Sequence, residues 1–115
     1  MAKGDRHRQL LKQEAGKTGQ TEVPLPSGGR LDVLSRSGIG KEIELDSAPE
    51  KLLMAASRLK EAKDTGIAKK VVLKVPQPNM ADAAKAMKVQ QVRGLISNLK
   101  GSKVLPAPKS RARSK

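Results

Sequence analysis

The chain has 115 residues, a formal charge of +13 from 24 Lys and Arg against 11 Asp and Glu, and no Cys, Phe, Tyr or Trp. That length accommodates one domain and not two full cores. The missing residue types exclude disulfides, thiolate zinc sites and Cys nucleophiles, and also the aromatic platforms on which single-strand binders stack bases.

Leu, Ile and Val make up about 22% of the residues, just above the composition at which disorder is the rule. A small folded domain with loose, charged ends is expected. Residues 5 to 15 (DRHRQLLKQEA) form a short helix, with Asp5 as N-cap and Gly16 in the left-handed position that ends it. TEVPLPSGG is a proline-interrupted extended segment suited to a sheet edge. RLDVLS and KEIELDS, joined by the glycine-bearing turn SRSGIG, read as an antiparallel hairpin. In the first strand Leu31 and Val33 share a face. In the second, Ile43 and Leu45 alternate with Glu42, Glu44 and Asp46.

Ser47-Ala48-Pro49-Glu50 has the form of a capping box. It opens a helix over about residues 48 to 64, with Leu52, Ala55, Ala56, Leu59 and Ala62 as its apolar stripe and Gly66 behind it. AKKVVLKVP is a strand buried on both faces. Asn79 and Asp82 repeat the capping pattern before a second long helix predicted to run to about Asn98, weakened locally by Gly94. VLPAPKSRARSK is a basic tail broken by prolines. The expected fold class is α/β or α+β: a small mixed sheet in the order helix-strand-strand-strand-helix-strand-helix, with one domain over residues 1 to 101 and a flexible tail over 102 to 115.

Charge is distributed unevenly over these elements. Residues 21 to 47 hold five acids against three bases and are the only net-negative segment. Glu42 and Glu44 lie two apart on a strand, so both side chains leave one face, and Asp32 on the neighbouring strand lies within one strand spacing. Carboxylates so close repel unless a cation sits among them. An all-oxygen set suits Mg²⁺ or Mn²⁺, which organise phosphate and an attacking water. The competing reading is a hairpin with one solvated acidic face and Ile43 and Leu45 turned inward.

Gly29-Arg30-Leu31-Asp32-Val33 followed by Glu42-Ile43-Glu44 resembles the PD-(D/E)XK nuclease superfamily over roughly residues 5 to 78. The resemblance implies a restriction-endonuclease-like core of a helix, three strands, a helix and a strand. It also implies a metal held by an acid on the second strand and an acid-x-lysine on the third. Asp32 takes the first position, Glu42 the second, and Glu44 stands where lysine is usual, as a further ligand or an orienter of water. Glu14 matches an extra acid on the first helix that supports the metal. Lys41 points to the opposite face of its strand, and Lys74 next door is the nearer source of a cation. Small toxin domains and mobile-element nucleases of this superfamily have a similarly compact, basic form.

Gly38-Ile39-Gly40-Lys41 fails as a phosphate loop, since that pattern needs Gly at 35 and Ser or Thr at 42. The lone His7, flanked by Arg6 and Arg8, reads as a surface residue, and one His without Cys builds neither a catalytic triad nor a zinc site. Arg30, Lys41, Lys69, Lys70, Lys74, Lys85, Lys88 and Arg93 are candidates for a nucleic-acid surface, with the tail as an electrostatic arm.

Two functions follow as expectations. One is a metal-dependent nuclease acting on DNA or structured RNA, its basic face masked in one variant by an acidic inhibitor protein. The other is a non-enzymatic basic nucleic-acid-binding protein of a ribonucleoprotein or phage-type assembly. No apolar run approaches a bilayer-spanning length and MAKGDRHRQ lacks a signal-peptide pattern. The chain is therefore expected in the cytoplasm, its own or that of a cell into which it is delivered, with no membrane partner.

Overall fold

Three helices and six strands follow one another in the computed structural model, which describes residues 3–107. In chain order they are α1 (Lys3–Ala15), β1 (Gln20–Pro24), β2 (Arg30–Leu34), β3 (Ile39–Ile43), α2 (Pro49–Asp64), β4 (Lys70–Val75), a 3-10 turn (Gln77–Asn79), α3 (Met80–Val89), β5 (Leu95–Asn98) and β6 (Val104–Pro106). The strands form one sheet in the order β1-β2-β3-β4-β5-β6. β1, β2 and β3 are antiparallel neighbours, β3, β4 and β5 run parallel, and β6 returns antiparallel on the far edge. This is a mixed α+β fold. No helix among the described residues is long and apolar enough to cross a membrane.

Parallel neighbours need crossover connections, and α2 and α3 supply them. Both helices pack on one face of the sheet. The stripe Leu52, Ala55, Ala56, Leu59 and Ala62 closes over Leu73, Met87 and Ile96 in the main core. Leu59 and Leu73 are fully buried; truncating either to Ala costs about 2–5 kcal/mol. Along β4, Val71, Leu73 and Val75 face that core, whereas Lys74 reaches Glu14 of α1. α1 therefore lies on the other face, over a smaller cluster of Leu11, Val33 and Ile43.

Several expectations are corrected. The second long helix stops at Val89, not Asn98. Gln91 takes a φ of 58°, and Gly94 approaches β4 so closely that a Cβ there would lie 2.6 Å from the Val71 carbonyl oxygen. Residues 95 to 98 become β5 instead. The tail does not begin at residue 102, because Val104–Pro106 adds a sixth strand; residues 108 to 115 lie outside the described residues. The N-cap of α2 is Ala48 with no side-chain cap, so Ser47 does not form the expected box. The Asp46 carboxylate accepts the Ala48 N–H at 2.9 Å in its place.

Candidate active site at the β2–β3 opening

β2 and β3 pair regularly at Val33–Lys41 and Leu34–Gly40. The next pair in that register is Asp32 with Glu42, and there the backbone ladder gives way to side chains. The Asp32 N–H donates to Glu42 Oε2 at 2.8 Å, and the Ile43 N–H donates to Asp32 Oδ2 at 2.9 Å. Leu31 belongs to the main core and Val33 to the smaller cluster, although residues two apart on a regular strand share a face. The irregularity falls on Asp32.

The two carboxylates are thus neighbours, and both are withdrawn from water. Glu42 keeps 2% of its side-chain surface and Asp32 14%. Burial raises the proton affinity of Asp32 above the ordinary aspartate range, against the pull of the Ile43 N–H and His7. Burial raises Glu42 well above its ordinary value, and the adjacent Asp32 charge adds to the effect. A solvated acidic face does not do this, so the inward-Ile, outward-Glu alternation is corrected. Glu42 and Ile43 are both buried because the sheet is covered on both faces here.

Two groups missed by the sequence reading complete the site. His7 is half-buried, not a free surface residue. Its Nε2 lies 2.9 Å from the Ile43 carbonyl oxygen and 3.3 Å from Asp32 Oδ2. A carbonyl only accepts, so Nε2 carries the proton. Arg58 of α2 approaches from the other side, with Nη1 3.6 Å from Glu42 Oε1. Both had a signal in helical spacing. His7 precedes Leu10 and Leu11 by three and four residues, and Arg58 follows Ala55 by three and precedes Ala62 by four, so each borders a buried stripe. Beside the pair opens a cleft of about 440 Å³ lined by His7, Arg8, Glu22, Arg30, Asp32 and Arg58.

Of the remaining predicted site residues Arg30 lines the cleft, and the others lie elsewhere. Glu14 does not join the acid pair: it is held between Lys41 Nζ at 2.8 Å and Lys74 Nζ at 2.9 Å on the α1 face. Burial raises its proton affinity, but the bonds and charges of those two lysines outweigh that and hold the carboxyl below its ordinary value. Glu44 spends its carboxylate on the Asp46 N–H at 3.0 Å. Lys41 and Lys74 are committed to Glu14, and Arg30 pairs with Glu22 at 3.1 Å on the surface beside the cleft. Lys70 stands beside Ile39, whereas Glu42 stands beside Leu73. Lys69 and Lys70 are therefore roughly 10 Å along the sheet from the acids. Lys85 and Lys88 are exposed on α3, and Arg93 is exposed in the loop before β5.

The acid pair offers hard oxygen donors, the chemistry of an Mg²⁺ or Mn²⁺ site. Among the described residues, no group of three His, Asp or Glu side chains is placed to hold a metal ion. Among the described residues, the adjacent pair Asp32 and Glu42 provides donors of the right kind for such an ion, and Mg²⁺ commonly keeps several waters besides one or two carboxylates. No family model, no curated protein and no solved structure matches this chain.

Proposed function

We propose that the chain is a metal-dependent nuclease hydrolysing phosphodiester bonds in DNA or structured RNA, with Asp32 and Glu42 at its centre. One observation carries the reading. Two adjacent, desolvated carboxylates are costly to keep charged side by side, and one of them, Asp32, lines a cleft whose other charged walls include Arg8, Arg30 and Arg58. Carboxylates alone repel a phosphate, and arginines alone bind it without cutting. Together they would suit a divalent cation held by the acids with a phosphodiester in the cleft. The order α1, β1–β3, α2, β4, with Asp32 on β2 and Glu42 on β3, also supports a restriction-endonuclease-like core.

Asp32 and Glu42 would hold the cation, which would supply Lewis acidity toward a phosphodiester and lower the pKa of a bound water. His7, donating to the Ile43 carbonyl beside Asp32, fixes the aspartate's position from α1. Arg58, in line with Glu42, stabilises negative charge developing on the phosphate. It fills the cationic role left open by Glu44, but a guanidinium stays protonated and cannot serve as a base. Arg8 and Arg30 engage neighbouring phosphates at the cleft rim.

The test is cleavage of plasmid DNA and of total tRNA with Mg²⁺, with Mn²⁺ and with chelator. Asp32→Asn and Glu42→Gln are expected to lose at least about 10²-fold in rate with the fold retained. Binding without cutting in every lane would leave the second expectation, a basic nucleic-acid-binding protein, in its place.

A further inference from the structure

The turn between β1 and β2 is fastened to α2 beside the cleft. Leu25 anchors its near end in the main core. The turn closes on itself, with the Gly28 N–H donating to the Leu25 carbonyl at 3.0 Å and the Leu25 N–H to the Gly29 carbonyl at 2.9 Å. Pro26 has no N–H, and the Ser27 N–H takes no part in these bonds. Glu61 of α2 uses it: the Ser27 N–H donates to Oε2 at 2.7 Å and the Ser27 hydroxyl to Oε1 at 2.6 Å. Both oxygens of the carboxylate are thereby engaged by one residue.

Glu61 has a second natural partner on its own helix. Residues three and four apart on a helix surface are neighbours, and opposite charges there attract. The positions three and four away from Glu61 hold Ser57, Arg58, Asp64 and Thr65, so Arg58 is the one cation among them. Arg58 turns into the cleft instead, with Nη1 3.6 Å from Glu42 Oε1 and Nη2 3.5 Å from Met54 Sδ. Its side chain runs along the turn: a Cβ added to Gly29 would lie 3.5 Å from Arg58 Nε. At 3.6 Å the contact with Glu42 is longer than a hydrogen bond, so an unoccupied carboxylate one helical turn away would compete for the guanidinium.

From this arrangement we infer that Ser27 and Glu61 are positioning residues for Arg58. By occupying Glu61, Ser27 keeps that carboxylate from capturing the guanidinium, and the same two bonds hold Gly29 against the arginine side chain. The inference rests on the nuclease reading for what Arg58 does in the cleft. It adds what keeps Arg58 there. Bonds that only anchored the turn would make Ser27→Ala equally harmful with or without the Glu61 charge. Competition makes the harm depend on that charge.

The test follows the Arg58 Nε–Hε signal by NMR in the full chain without substrate, assigned by its loss in Arg58→Lys. It is run beside kcat and KM on whichever of plasmid DNA and tRNA the parent chain cuts. Ser27→Ala is expected to move the signal and to lower kcat about tenfold with KM unchanged. Ser27→Thr keeps the hydroxyl, and Ser27→Ala/Glu61→Gln removes the competing charge; each should return both readouts toward the parent. The inference is overturned if Ser27→Ala leaves the signal in place or kcat unaltered, or if the double variant is no better than the single one. A parent chain that cuts neither substrate contradicts the nuclease reading by itself, while the Arg58 signal, read without substrate, still decides the placement.

Discussion

Asp32 and Glu42 are the residues whose environment is least like that of a surface acid. Glu42 has its proton affinity raised on folding, so its contribution to stability is fully present below the ordinary carboxylate range and is lost as pH rises through the elevated folded value. Asp32 acts in the same sense. Glu42→Gln removes the charge while keeping an oxygen for the Asp32 N–H. It is expected to raise the midpoint of thermal unfolding at neutral pH by roughly 4–8 °C, the shift about 1 kcal/mol produces in a domain near this size. The gain should shrink toward pH 4, and an unchanged or lower midpoint at pH 7.5 would count against a strained acid pair. Glu14 has the opposite sign. Its lowered folded value makes its contribution present above the ordinary range and lost on acidification. Glu14→Ala leaves Lys41 and Lys74 facing one another without an anion. The substitution should cost about 1–3 kcal/mol in chemical denaturation at pH 7, with little effect at pH 3.

At the scale of elements, the pieces with a single clear period were legible. The apolar stripe of α2, the buried run of β4 and the β2–β3 hairpin all follow from spacing and turn residues. The segment from Val92 to Leu99 was not, because its apolar residues satisfy a helical period while also forming a short buried run. What decides between them is the close approach of Gly94 to Val71, a tertiary fact. Gly94→Ala should destabilise the fold by about 1–3 kcal/mol, because the new methyl meets the Val71 backbone. A neutral result in a denaturant titration would mean that β5 shifts freely. β6 escaped notice because three residues ending in proline carry almost no pattern.

Over the whole molecule, the sequence carried the two acids but not their surroundings. The antiparallel pairing of the two strands across the SRSGIG turn placed Asp32 beside Glu42. The partnership of His7 from α1 and Arg58 from α2 depends on where two helices dock. Glu14 was drawn into the metal set by its place on the first helix, whereas the docked helix aims it at two lysines. Among the described residues the basic side chains form no single stripe: Arg8, Arg30 and Arg58 line the cleft beside Asp32, and the lysines of β4 and α3 lie apart. Nucleic-acid affinity should therefore fall steeply with salt, and Arg58→Ala should slow cleavage far more than it weakens binding. Lys85→Ala with Lys88→Ala should do neither beyond a small change in the salt slope.

The central claim is that Asp32 and Glu42 together hold a divalent cation, and titrating Mn²⁺ into the isotopically labelled chain while following amide signals tests it most directly. The account predicts that paramagnetic broadening centres on the amides of residues 31 to 33 and 42 to 44, and that Glu42→Gln removes it. Broadening spread over unrelated surface acids, or undiminished in the variant, would contradict it.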